Sequence, residues 1–328
     1  MNIQIKGMGH FLPETVLSNK DLEKIVDTSE EWIIDRTGIR ERRIADPKAN
    51  TSDLAIEASR VALERAGIKA EELDLIVVGT ATPDMVFPST ACLVQDALGA
   101  RNAAAFDLSA GCTGFIYALV VAEKFLNSTG CNNALVIGAE VLSRITDYSD
   151  RNTCVLFGDG AGAAVLGKGN SDAGIICSFL GADGSGGPFL QVPAGGCALP
   201  ASEDTVKSRL HFIRMNGNEI FRFATRITME ASDRLLSMAK MTYDDIDFFV
   251  PHQSNLRIIK TAQKRMNLPL EKTLINVDKF GNMSAACIPV ALSMAEEEGR
   301  IKPGHIVLMV SFGAGLTYGG ALIRWGRD

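Results

Sequence analysis

Apolar positions along the chain recur with two different periods, and their alternation predicts strands and helices taking turns. Between Thr51 and Ala66, Leu54, Ala58, Val61 and Ala62 fall at helical spacing, and Gly67 stands where such a helix would stop. The acidic turn Glu71-Glu72 then leads through Leu73-Asp74 into Leu75-Ile76-Val77-Val78, which reads as a buried strand. The second half of the chain repeats this succession. Ile220 to Ala239 is helical in pattern, and Asp244-Asp245-Ile246-Asp247 runs into Phe248-Phe249-Val250.

The correspondence continues. Ala103 to Asp107 predicts a strand, followed by a glycine-containing turn and an apolar helix from Thr113 to Phe125. Its counterpart is a strand from Thr273 to Asp278, another glycine-containing turn, and a helix from Ser284 to Glu297. Ala134 to Ala139 matches Ile306 to Val310, and Gly160 to Leu166 matches Gly319 to Arg324. The offset is roughly half the chain throughout, far longer than the periods of about 20–50 residues that mark solenoids. The pattern therefore predicts an α/β protein of two duplicated βαβ halves, residues 1–172 and 173–328, in a layered α-β-α-β-α body with parallel sheets. The Gly-, Pro- and Ser-rich stretch from Gly184 to Arg209 reads as a long surface excursion between them.

Composition narrows the function classes. Of the 328 residues, 46% are hydrophobic and 22% charged, enough for a large core and too apolar for disorder. The net charge of −6 argues against a nucleic-acid binder, which would normally be basic. The start of the chain reads as a strand, Ile3 to Met8, and no run of about 18 apolar residues could span a bilayer. A cytoplasmic protein without membrane partners is the expectation. Seven cysteines are scattered with no CxxC pair and no neighbouring Cys/His cluster, so neither a metal site nor a disulfide framework is expected.

One cysteine has unusual surroundings. In Asp107-Leu108-Ser109-Ala110-Gly111-Cys112-Thr113-Gly114-Phe115 a strand ends, small residues turn, and an apolar helix begins at the thiol. The free N–H groups of a helix start favour an anion, so the thiol pKa is expected to fall below its usual value of about 8.5. The matching turn of the second half, Phe280-Gly281-Asn282-Met283-Ser284-Ala285, puts Asn282 in the place equivalent to Cys112. His252, one of four histidines, follows the strand that ends at Pro251. A thiol, an imidazole and a carboxamide, each at a strand end, suit acyl transfer with donors for an oxyanion.

Further motifs carry a resemblance over nearly the whole chain. They are Asp27-Thr28-Ser29-Glu30-Glu31-Trp32-Ile33, Arg36-Thr37-Gly38-Ile39, Phe87-Pro88-Ser89-Thr90-Ala91-Cys92 and Ala110 to Phe115. To these add Phe157-Gly158-Asp159-Gly160-Ala161-Gly162-Ala163, Pro251-His252-Gln253, Asn255-Leu256-Arg257, Gly281-Asn282 and Ser284-Ala285-Ala286. In this order and spacing the sequence resembles ketoacyl-acyl-carrier-protein synthase III, a family of the thiolase superfamily.

The resemblance implies a short acyl-CoA, such as acetyl-CoA, loaded on Cys112 and condensed with malonyl-acyl-carrier protein to initiate fatty acid biosynthesis. His252 and Asn282 would hold the malonyl thioester carbonyl during decarboxylation, and the backbone N–H groups of Cys112 and Ala314 would form an oxyanion hole. It further implies coenzyme A contacts at Thr28, Trp32, Arg36, Arg151 and Asn218, and an acyl pocket at Phe87, Leu142 and Phe157. Phe87 would reach across a homodimer. Arg222, Arg257, Lys260, Lys264 and Arg265 would receive the acidic carrier. No cofactor and no metal are implied, coenzyme A entering only as the thioester substrate. Another thiolase-superfamily synthase, such as one acting on a longer starter or in secondary metabolism, would keep the same three side chains. A nicotinamide dehydrogenase is disfavoured because Gly158-Asp159-Gly160-Ala161-Gly162 lacks the required glycine spacing. Asp183-Gly184-Ser185-Gly186 lacks the partners of a serine protease.

Overall fold

The computed structural model describes residues 2–128 and 130–327. Its centre is a layer of two helices, Gly114–Leu126 and Cys287–Glu297, pressed between two sheets. Both helices are apolar nearly all round, which is what burial on two faces demands. Phe115, Ile116 and Leu119 of one pack with Ile288, Ala291 and Leu292 of the other, and with Val77 and Val136 on one side and Val250 and Val307 on the other. Burying each such side chain contributes about 1.5–3 kcal/mol.

The first sheet has the order Asn2–Phe11, Gly160–Gly169, Asn133–Glu140, Leu75–Gly79, Ala104–Leu108. The second repeats it with Gly174–Ala182, Thr317–Arg324, Ile306–Gly313 and Phe248–Pro251. Helices Thr51–Ala66 and Thr90–Leu98 cover the outer face of the first sheet, and Gly217–Ala239 and Leu256–Arg265 that of the second. The expected five layers and internal repeat are therefore present. Helix Thr51–Ala66 spans the predicted residues because Asn50 N–H is capped by Asp53 at 2.8 Å and Gly67 turns left-handed at φ 64°.

Two expectations are corrected, and one strand is added. The sheets are mixed, not parallel: Gly160–Gly169 is antiparallel to both its neighbours, and Thr317–Arg324 likewise. Each is reached from the strand before it without a crossover helix, so antiparallel pairing is the short connection. The predicted strand Thr273 to Asp278 is reduced to a single bridge from Thr273 to Phe249, and Val277–Phe280 is helical. Buried Gln253 diverts it, donating to Leu274 O at 3.0 Å and accepting from Asn276 N–H at 3.0 Å. The strand Gly174–Ala182 went unpredicted because it is only partly buried and its apolar pattern is weak.

The excursion after Gly184 is more than surface. Leu190–Gln191 pairs with Arg214–Met215, and Arg209 Nε ties its far end to the Asp147 carboxylate at 3.0 Å. That contact holds Asp147 well below the usual carboxylate range.

The two halves meet at backbone distance. A Cβ on Gly138 would lie 2.2 Å from Ala285 O, so the strand Asn133–Glu140 seats the start of the second central helix only as glycine. Gly138→Ala is expected to destabilise the protein by about 1–3 kcal/mol. The check is a lower denaturant midpoint at unchanged slope; an unchanged midpoint would contradict the packing described.

Candidate active site

Strand Ala104–Leu108 ends, Gly111 adopts φ 53°, and a single 3-10 turn, Gly111–Thr113, carries Cys112 into the helix Gly114–Leu126. The turn is clamped against the end of strand Ile306–Gly313. A Cβ on Gly313 would meet Cys112 N at 2.5 Å, and one on Gly111 would meet Ala314 N at 2.8 Å. The Ser311 hydroxyl donates to Cys112 O at 2.8 Å, and the Thr113 and Thr317 hydroxyls meet at 2.9 Å.

His252 follows strand Phe248–Pro251 and extends its pairing, with its N–H donating to Val310 O at 2.9 Å. Its ring is 1% exposed and meets the edge of Phe312 at a centroid distance of 5.2 Å. With no compensating partner at Nδ1, burial depresses its pKa to about 3, so the ring is neutral. Asn282 is latched beside Phe157: its N–H donates to Leu156 O at 2.8 Å and its carbonyl accepts from Gly158 N–H at 3.1 Å. The Oδ1 end of its side chain accepts from Ser284 N–H at 2.8 Å, with the Cys287 thiol at 3.7 Å.

These three side chains line one cavity of about 560 Å³. Phe157, Leu190, Met215 and Phe312 make its wall apolar, and Trp32, Arg36 and Asn218 stand along it. The cavity brings together a thiol, a neutral imidazole and a carboxamide.

Two expectations about the thiol turn are corrected. Cys112 does not have a depressed pKa in this cavity; burial pushes it up to about 12, outweighing the opposing pull of Ser284 and Asn282. Nor is Asn282 the structural equivalent of Cys112. The second half's 3-10 turn is Ser284–Ala286, which sets Ala285 against Cys112 and Ser284, at φ 47°, against Gly111. Asn282 enters the cavity from three residues earlier in the loop.

The remaining predicted residues divide. Ala314 begins its own 3-10 turn beside Gly111, and the left-handed positions fall on Gly315 and Leu316. Trp32 carries the guanidiniums of Arg36 at 5.9 Å and Arg151 at 5.2 Å. Arg151 is outside the cavity lining and also donates to Asp27 O at 3.2 Å. Thr28 is not in the lining, and its hydroxyl is buried without a partner. Leu142 packs behind Phe157 with Ile213. Phe87 is 82% exposed and outside the cavity lining. Arg257, Lys260, Lys264 and Arg265 are exposed on helix Leu256–Arg265 and form no ion pair among the described residues, whereas Arg222 is paired with Glu219 at 2.7 Å. The Arg257 guanidinium lies 5.6 Å over Phe221, which lines the cavity, so the basic face begins at its edge.

Sequence reasoning missed the wall residues Leu190 and Met215, and it missed Glu140. Glu140 is 0% exposed and closes strand Asn133–Glu140 beside the site. A lone charge ending the apolar run Leu135-Val136-Ile137-Gly138-Ala139 was the available signal. No group of side chains among the described residues could hold a metal ion, and no helix among them is long and apolar enough to cross a membrane.

Comparison with known proteins agrees with this geometry. Residues 106–184 match the family described as 3-Oxoacyl-[acyl-carrier-protein (ACP)] synthase III, and residues 236–325 match its C terminal family. The chain is 68% identical to the Beta-ketoacyl-[acyl-carrier-protein] synthase III of Syntrophomonas wolfei over 328 residues, covering 100% of this chain and 99% of the relative. The crystal structure of 3-oxoacyl-[acyl-carrier-protein] synthase III from Aquifex aeolicus superposes with a TM-score of 0.92 at 46% identity, covering 98% of this chain and 100% of that one. The corresponding synthase III from Thermus thermophilus gives 0.93 at 45% identity, covering 99% and 100%.

The neutral imidazole has a consequence for acid stability. Below the unfolded pKa of about 6.5 the unfolded chain binds a proton that native His252 refuses, so this residue subtracts stability as pH falls. Relative to pH 7, His252→Gln is therefore expected to lose about 2 kcal/mol less stability by pH 5 than the parent. Urea melts at the two pH values measure this; parallel losses would contradict a native pKa near 3.

Proposed function

The chain belongs to the 3-oxoacyl-[acyl-carrier-protein] synthase III family, and we propose on that premise that it condenses a short acyl-CoA, acetyl-CoA first among them, with malonyl-acyl-carrier protein. It is an acyltransferase of fatty acid biosynthesis. The carrying observation is that Cys112, His252 and Asn282 line a single cavity although they come from three separate loops.

In the proposed reaction the Cys112 sulfur attacks the acyl thioester, and the N–H groups of Cys112 and Ala314 receive the negative charge that forms on the carbonyl oxygen. Collapse expels the coenzyme A thiolate and leaves an acyl-cysteine. The malonyl thioester then enters, its carbonyl received by the neutral His252 ring and the side-chain amide of Asn282. Loss of carbon dioxide builds an enolate at that oxygen. Neutral donors in a dry site stabilise it without first having to be desolvated as charges. The enolate carbon attacks the acyl-cysteine and releases the Cys112 thiolate.

Trp32 between Arg36 and Arg151 is suited to an adenine with phosphates, since guanidiniums pair with phosphate and stack on aromatic faces. The unpaired cations of helix Leu256–Arg265 suit an acidic carrier. Met85, Val86 and Phe87, which are 47%, 88% and 82% exposed, would be covered by a second copy of the chain, bringing Phe87 to the partner's acyl pocket. That arrangement favours a short starter.

Radiolabelled acetyl-CoA should leave label on the denatured protein, and Cys112→Ser should leave none. An intact wild-type protein that takes no label from any acyl-CoA would overturn the proposal. Reversing charge with Lys260→Glu and Lys264→Glu should raise KM for malonyl-carrier about tenfold or more while kcat changes little. Steady-state kinetics at two salt concentrations check it, because an unchanged KM would remove this face as the carrier site.

A further inference from the structure

The excursion between the halves builds one wall of the cavity. Leu190 and Met215, which pair across its two short strands, line the cavity directly. Ile213 packs with Leu142 and Phe157 in one apolar cluster, and Leu190 packs against that cluster. The first-half residues expected at the acyl pocket are therefore backed by side chains of the excursion. Few contacts fix this wall in place. Residues 195–204 are exposed, and among the described residues the segment 190–213 is hydrogen-bonded to the first half at two places. Ile213 N–H donates to Ile145 O at 2.8 Å, and the Arg209 guanidinium grips the Asp147 carboxylate.

The grip is made from an unfavourable backbone. Arg209 lies in the left-handed region at φ 55°, where glycine or asparagine is at home. Its Nε donates to Asp147 Oδ2 at 3.0 Å and its Nη2 to Oδ1, a two-pronged contact that fixes direction as well as distance. The same guanidinium lies over the Phe212 ring at 4.8 Å. Asp147 is buried, and its Oδ1 also accepts from Ser149 N–H at 2.9 Å and the Ser149 hydroxyl at 2.6 Å. Those bonds shape the turn that leads to Asn152 and Val155 in the cavity lining. One carboxylate thus joins the excursion to the first-half wall.

We infer that Arg209 and Asp147 are positioning residues for starter selection: their contact holds Leu190, Ile213 and Met215 against Leu142 and Phe157 and so keeps the acyl pocket short. The inference rests on the proposed acylation of Cys112, which lines the same cavity. Neither Arg209 nor Asp147 lines that cavity, so both act through the wall. Each further methylene of a starter gains free energy on leaving water, so a pocket rejects it only as far as the wall resists displacement. Without the ion pair, one backbone hydrogen bond and the apolar cluster are left to hold the wall to the first half.

The test is acylation of Cys112 by acetyl-, butyryl-, hexanoyl- and octanoyl-CoA, with rate constant and half-saturating concentration followed by intact-protein mass. The wild type is compared with Arg209→Gln, Arg209→Gly, Arg209→Lys and Asp147→Asn. Glycine suits the left-handed backbone, so Arg209→Gly removes the contact without adding strain should Arg209→Gln fold poorly. Loss of the contact should raise the octanoyl-to-acetyl ratio of acylation efficiencies about tenfold, through tighter half-saturation by the long chain. The acetyl rate constant should stay within about twofold of the wild type, and Arg209→Lys should keep the wild-type ratio within about threefold. Arg209→Gln combined with Asp147→Asn should match either change alone, because a single contact is lost in each case. An unchanged ratio in folded variants would overturn the inference alone, as would shifts that multiply in the combined variant. Equal losses for every acyl-CoA would make the contact merely structural and likewise overturn it. A wild type that takes octanoyl-CoA as readily as acetyl-CoA would contradict the short pocket, and one acylated by none of these thioesters would overturn the proposed acylation as well.

Discussion

The structure turns on two places where backbone lies against backbone across the pseudo-twofold. Gly138 receives the carbonyl of Ala285 at a distance no side chain would permit, and Gly313 receives the amide of Cys112 in the same manner. Each central helix thus starts on a strand that belongs to the other half, and the two starts face one cavity. Glycine at these positions is a matter of contact, because Gly313 itself is in ordinary extended backbone. Everything catalytic hangs from this seating: move either turn by an ångström and the thiol loses its register with His252 and Asn282.

The same close packing buries the thiol and the imidazole, and burial decides the protonation states. Burial outweighs the favourable field of the helix start and leaves Cys112 a thiol near 12. It leaves His252 a neutral donor near 3 and lifts Glu140 above ordinary carboxylates. One constraint therefore suits the imidazole to stabilising an enolate and makes the thiol hard to ionise. The pseudo-twofold is not exact at these two turns. Where the second half has Gly313 against Cys112 N, the first half has Glu140 against Ala285 N, so the contact that is glycine on one side carries an acid on the other.

Much of this could be read from residues. Helix Thr51–Ala66, the buried strands at Leu75 and Phe248, and the two central helices followed from apolar period and from glycine stops. The internal repeat exposed the architecture, and turn residues at strand ends pointed to Cys112, His252 and Asn282. What sequence could not supply was direction and environment. Strand polarity in the Gly160–Gly169 hairpin depends on the route of a connection that has no periodicity of its own. The thiol's burial depends on residues nearly two hundred positions away, among them Ser284 and Gly313. Repeat arithmetic erred by three residues at Asn282, because a loop carries no pattern to fix its register. The wall at Leu190 and Met215 sits in a Gly- and Pro-rich stretch whose composition indicates only a turn.

In the proposed reaction the cavity divides its labour, with Cys112 holding the acyl group while His252 and Asn282 alone stabilise the enolate. Carbon dioxide release from malonyl-carrier by Cys112→Ala, compared with His252→Ala and Asn282→Ala, separates these duties most directly. Decarboxylation should persist in Cys112→Ala and fall by about 100-fold or more when either donor is removed. Decarboxylation lost with Cys112, or retained without both donors in folded protein, would contradict it.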